Sequence, residues 1–223
     1  MPPTLPTLLC LACLSWWASV HGLTTRWSLR RKTVVRLPRD HNATQIHNHF
    51  MDLALDQARK AGRQNEVPIG AVLIQRNQDG SFDVLSQACN LVETRQDASA
   101  HAELLALQQG SRRTKNWRLS NTTLYTSLEP CPMCLAACQA FRVSSIVYAA
   151  PDLRLGAIET HIRLLDTPHP FHTIGEVVHG VQRDKSADLL RGFFRERRKQ
   201  KTPKDTVPTW RAKLKRLLTF KAR

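Results

Sequence analysis

Two short strings bound what this chain can be: His101-Ala102-Glu103 and, twenty-six residues further on, Pro130-Cys131-Pro132-Met133-Cys134. Cysteines three apart at the start of a helix point the same way, because i and i+3 are neighbours on a helical surface. Pro132 suits the first helical turn, where a missing N–H costs nothing. A helix N-terminus and a metal ion both favour thiolate over thiol. A neutral imidazole at His101 offers a third ligand. Three protein ligands leave one tetrahedral position open, which separates a catalytic zinc site from a closed structural one. Zinc so held lowers the pKa of a bound water towards neutrality. Glu103 stands two residues past the histidine, too close to share its helix face, and is placed to move protons without joining the ligands. Cys-x-x-Cys alone fits a redox dithiol or a structural clip equally well; His-x-Glu ahead of it favours hydrolytic zinc chemistry.

The surrounding pattern predicts layered α/β structure. Phe50–Ala61 spaces Met51, Leu53, Ala54, Leu55 and Ala58 at helical intervals, with Gly62 as a stop. The apolar run Ile69–Ile74, a turn at Asn77–Gly80 and Ser81–Cys89 read as a two-stranded hairpin. His101–Gln109 reads as a helix capped by Asp97 or Ser99 and ended by Gly110. Thr123–Ser127 and Ser145–Ala150 read as strands flanking a Pro132–Phe141 helix. Ala187–Lys201 reads as a helix with Leu189, Leu190, Phe193 and Phe194 on one side and cations around the rest. Strands alternating with helices predict one α/β domain over residues 45–202.

The motifs resemble the zinc-dependent nucleobase deaminases, and within them the bacterial-type tRNA-specific adenosine deaminases. The resemblance covers residues 46–201 and rests on Glu66–Leu73, Asn90, Asp97–Glu103, Leu124–Cys134 and Leu189–Arg195. It implies a three-layer αβα, cytidine-deaminase-like fold with a central five-stranded mixed sheet. It implies one Zn2+ per subunit held by His101, Cys131 and Cys134, with Glu103 as the catalytic proton shuttle. Asn90, by default a turn residue, becomes the asparagine that hydrogen-bonds the flipped base. Ile69 and Leu128 lie near the pocket wall, and Asp152, Phe193 and Arg195 meet the substrate. That substrate is adenosine at the wobble position (34) in the anticodon loop of tRNA, converted to inosine by a homodimer; unpairing costs least in a single-stranded loop.

The sequence departs from the family in places. Pro151 stands where many relatives carry arginine, which removes one expected RNA contact. Glu159-Thr160 replaces a Gly-Ser pair, and the loop after it is left unassigned. Residues 203–223 extend past the usual end. Other residues take plainer readings: Cys89 and Cys138 as core, Trp117 as packing, and His161, His169, His172 and His179 as loop or surface residues, His169 nearest to substrate. Six cysteines make no disulfide framework, because Cys10 and Cys13 fall in an N-terminal leader.

The formal charge of +15 is unevenly spread. Residues 191–223 hold thirteen Lys/Arg and two acids, residues 23–40 hold six and one, and residues 41–190 are nearly neutral. A basic C-terminal segment suits a polyanion. Leu8–Val20 carries no charge, is too short to span a bilayer comfortably and fits a signal-peptide core, although no lysine or arginine precedes it. Leu23–Arg39 is basic, rich in hydroxyls and free of acids, the composition of an organelle transit peptide or of a plain basic arm. Residues 1–22 and 23–44 together resemble the two-part leader of proteins entering plastids of secondary algal origin. Mitochondrial or secretory routes are alternatives, and no stable membrane association is expected after leader removal.

Two other functions compete. A small-molecule guanine, cytosine or nucleotide deaminase of the same superfamily has no use for a basic C-terminal segment. A non-catalytic, zinc-stabilised RNA-binding module has no use for Glu103.

Overall fold

The computed structural model describes residues 33–37 and 42–200. The signal-like segment 1–22, most of 23–44 and the 203–223 tail lie outside the described residues.

The predicted hairpin is present as β2 (Gly70–Arg76) and β3 (Phe82–Cys89). β4 (Thr122–Leu128) pairs antiparallel with β2 and parallel with β5 (Ser145–Ala150), and β6 (Glu176–His179) adds parallel to β5. These five strands are the expected mixed sheet. A sixth, β1 (Thr33–Val35), pairs antiparallel with the other side of β3, giving the order β1-β3-β2-β4-β5-β6. β1 falls inside the segment read as transit peptide, so folded chain is present ahead of residue 45.

Helices cover both faces. α1 (Ala43–Arg63) starts well before Phe50 because Asn42 and Gln45 form a reciprocal capping box at its N-terminus. The remaining helices are α2 (Val92–Arg95), α3 (Ala102–Thr114), α4 (Pro132–Ala140) and α5 (Arg183–Gln200). Successive strand side chains alternate between the layers. Ala71, Leu73, Leu124 and Ile146 pack with Leu105 and Leu107 of α3 and Leu135 of α4. Val72, Ile74, Tyr125 and Val147 pack with Phe50 and Leu55 of α1, and Leu189 of α5 joins that cluster. Central strands buried on both faces explain the unbroken apolar run in β2. Ser186 of α5 donates to the Ser127 carbonyl, fixing α5 to β4. Among the described residues no helix is long and apolar enough to cross a membrane.

Two expectations about α3 fail. Gly110 does not end it; the helix runs on to Thr114. A Cβ at Gly110 would lie 2.4 Å from Leu73 Cδ2, so the glycine serves close packing of α3 on β2. Asp97 does not cap it either, since its carboxylate accepts from the N–H and Oγ of Ser99 at 2.8 and 2.7 Å. The N-cap is His101.

Candidate zinc and substrate site

The strand directions gather the site at one end of the sheet. β4 runs into Glu129-Pro130-Cys131, β3 runs into Asn90, and β2, antiparallel to both, begins just after Ile69. His101 is the N-cap of α3 and Cys131 the N-cap of α4, with Pro132 in its first turn as expected. Two helix N-termini therefore converge where thiolates are wanted.

His101 Nδ1 lies 3.7 Å from Cys131 Sγ and 3.5 Å from Cys134 Sγ, and the three ligand atoms fall within 4.8 Å of one another. A tetrahedron with Zn–S of about 2.3 Å and Zn–N of about 2.0 Å has an N–S edge of about 3.5 Å. The donor set fits zinc in type, count and spacing. A hydrogen bond from the Cys134 thiol, helped by His101, holds the Cys131 thiol down to about 4. Donation to Cys131, and then burial, pushes Cys134 up. The bond to Cys131 raises His101. Glu103 is 3% exposed, its carboxyl is raised by burial, and its Oε2 has no hydrogen-bond partner among the described residues. Cys138 is buried core as read, and stands outside the ligand cluster.

Asn90 is 4% exposed, its N–H donates to the Ile69 carbonyl at 3.0 Å, and its side-chain Nδ2 donates to Glu66 at 3.1 Å. Ile69 and Leu128 are both half-buried at this end of the sheet. Asp152 is half-buried too, and its carboxylate accepts from the Arg154 N–H, so part of its capacity closes a local turn. Phe193 is half-buried and Arg195 exposed on α5. Phe193 lines a groove of about 450 Å³ between α5 and the end of α1, with Arg59, Arg63, Glu196 and Arg197.

Sequence reasoning missed the buried carboxylates that hold this end together. Glu129, 2% exposed, accepts from the N–H groups of Asp152, Ile158, Glu159 and Thr160 and from the Thr160 hydroxyl. A Cβ at Gly156 would meet its Oε2 at 2.3 Å, so the loop closes on Glu129 through that glycine. The departure Glu159-Thr160 thus contributes anchors: Thr160 bonds Glu129, and Glu159 accepts from Tyr148 and lies 3.9 Å from His179. The signal was an acid before Pro130-Cys131 within a stretch otherwise free of acids from Leu104 to Leu128. Trp117 is not packing, being 47% exposed beneath Arg118, whose guanidinium sits 4.1 Å above its ring. His169 lies on the loop leading into β6, at the end of the sheet away from Cys131.

Fold and ligand set together define a zinc-dependent deaminase. The cytidine and deoxycytidylate deaminase zinc-binding region matches residues 44–150. The chain is 40% identical over 152 residues to the tRNA-specific adenosine deaminase of Bacillus subtilis (strain 168), spanning 68% of this chain and 91% of that one. It is 39% identical over 163 residues to the chloroplastic tRNA(adenine(34)) deaminase of Arabidopsis thaliana, spanning 66% of this chain but 12% of that much longer protein. A solved structure from work on tRNA:A34 deaminases matches with a TM-score of 0.59 and 38% identity, covering 64% of this chain and 99% of that one. The chain belongs to the tRNA-specific adenosine deaminase family.

Proposed function

We propose that this enzyme deaminates adenosine to inosine at the wobble position (34) of tRNA, consuming one water and releasing one ammonia. The observation that carries the reading is Glu103, a buried carboxylate with one oxygen lacking a hydrogen-bond partner among the described residues, beside a three-ligand metal set. A structural zinc module has no need of it. Zinc held by His101, Cys131 and Cys134 supplies a Lewis acid that activates water at neutral pH. Glu103 takes one proton from the attacking water and passes it to the ring nitrogen, then takes the second from the hydroxyl added to the ring carbon and passes it to the departing amine. Asn90 holds the extruded base between Ile69 and Leu128. Arg195 and its neighbours on α5 attract the phosphates of the anticodon loop, and Phe193 offers a ring edge to its bases.

The same reading carries a homodimer, implied by the family resemblance. It also carries a plastid location, supported by the chloroplastic relative in Arabidopsis and by the composition of residues 1–44.

The test is to incubate the purified enzyme with tRNA transcripts carrying adenosine at position 34, and separately with free guanine and cytidine. Adenosine-to-inosine conversion confined to position 34 is expected. Turnover of free guanine or cytidine with none of tRNA would overturn the reading in favour of a small-molecule deaminase.

A further inference from the structure

We propose that Glu66 is a positioning residue that fixes which way round the Asn90 side-chain amide faces the pocket. The inference rests on the reading of Asn90 as the residue that holds the base. Glu66 follows the end of α1, and its own N–H is tied to the Ala61 carbonyl at 3.0 Å. Its side chain is fully buried. Oε1 accepts from the Thr94 N–H at 2.6 Å, and Oε2 accepts from the Glu93 N–H at 3.3 Å and from Asn90 Nδ2 at 3.1 Å. Each of the three partners is a donor. No ion pair involving Glu66 is found among the described residues.

A buried, unpaired carboxylate is a costly way to staple a loop, since the two backbone N–H groups could be met by a neutral carbonyl oxygen. What a carboxylate adds is that both its oxygens are acceptors only. The Asn90 group that faces it must therefore be the NH2. The Asn90 backbone is already held by Ile69, so the amide plane has little freedom left. One N–H is committed to Glu66, and the second N–H and Oδ1 become a donor and an acceptor in fixed order. A base read by hydrogen bonds is discriminated by that order, because a mismatch leaves buried polar groups unpaired.

Leucine at position 66 keeps the bulk of the side chain and removes both acceptors. Glutamine is the weaker probe, because its oxygen set in the Oε2 place still accepts from Asn90 and Glu93 and only Thr94 loses its partner. With leucine the Asn90 amide meets no acceptor on that side. The donor–acceptor order presented to the base is then no longer fixed.

A double-mutant cycle tests this with a tRNA transcript carrying adenosine at 34, measuring kcat, KM, zinc stoichiometry and Tm for Glu66→Leu, Asn90→Ala and the pair. We expect Glu66→Leu to lower kcat/KM by roughly tenfold or more, as Asn90→Ala does, and to change it less than about twofold once Asn90 is alanine. Zinc stoichiometry stays at the wild-type value. Losses that multiply in the pair would overturn the proposal and leave Glu66 a structural staple. Wild-type kcat/KM in Asn90→Ala would instead sink the underlying reading of Asn90. The wild-type enzyme gives a second measurement that does not depend on a variant folding. The Asn90 side-chain amide, assigned by its loss in Asn90→Ala, should show one proton protected from solvent exchange. Two freely exchanging protons would also overturn the proposal.

Discussion

Cys134 Sγ lies 3.5 Å from His101 Nδ1, although thirty-three residues separate them in the chain. This pairing ties the N-termini of α3 and α4 at the edge of the apolar layer that both helices build. Metal binding at these groups is therefore coupled to folding. Free zinc at about a hundred times its dissociation constant should stabilise the native state by about 2.7 kcal/mol. Chelation should lower Tm, and Cys134→Ser should lower it similarly while abolishing stoichiometric zinc. Equal Tm with and without chelator would mean that the ligand cluster does not bind metal in the folded chain.

Glu103→Gln keeps the shape of the buried side chain and removes its ability to carry a proton. Proton transfer by a positioned group contributes about 10²- to 10⁴-fold. The variant should lose activity on that scale while retaining zinc and cooperative unfolding. Loss of zinc along with activity would make Glu103 part of the metal's support instead of a proton carrier.

The ligands and the shuttle were legible because metal geometry forces residue types into fixed local spacings, and the strands because alternation and apolar runs mark a sheet buried on both faces. Elements decided by distant partners were not. β6 is only four residues, Glu176–His179, with no apolar run of its own, and exists because β5 offers it a parallel edge. β1 has a basic flank and reads as arm until β3 is beside it. Gly110 looks like a helix stop until Leu73 is seen against it. Glu66 and Glu129 look like ordinary surface acids; only the fold shows that backbone N–H groups from other segments converge on each.

Acid should expose the Glu66 arrangement. Burial raises its carboxyl, but the N–H groups of Thr94 and Glu93 and the Asn90 amide outweigh burial and leave it below the usual carboxylate value. A group with a lowered folded pKa stabilises the native state fully above its unfolded value, near 4.5. That stability is lost as pH falls through the folded value. Tm should therefore drop below about pH 4.5, and the drop should be shallower in Glu66→Gln, which has no proton to take up at this site. Parallel wild-type and variant curves from pH 5 to 3 would show that Glu66 is protonated alike in both states.

Exposed arginines on α5 should contribute to RNA affinity without selecting sequence. Arg195 and Arg198 both face solvent. Removing a cation that neutralises one phosphate should flatten the plot of log affinity against log salt by about 0.7 on single-stranded RNA. Arg195→Ala with Arg198→Ala should weaken tRNA binding at low salt and leave kcat unchanged. An unaltered salt slope would return both residues to the role of solvated surface.

β1 sets a limit on where any leader can end. Thr33, Val34 and Val35 register with Val84, Asp83 and Phe82, and Val35 and Leu37 pack against the cluster around Phe50 and Phe82. Partial burial of those two side chains contributes roughly 1–2 kcal/mol. A chain starting at Lys32 should unfold at a higher urea midpoint than one starting at Asn42, which keeps the α1 cap but lacks the strand. Both should bind zinc equally, because β1 lies across the sheet from the ligand end of β4. The mature N-terminus, determined on enzyme isolated from its own compartment, should then fall before Thr33. Equal midpoints, or a mature chain beginning after Leu37, would assign the strand to the leader and not to the enzyme.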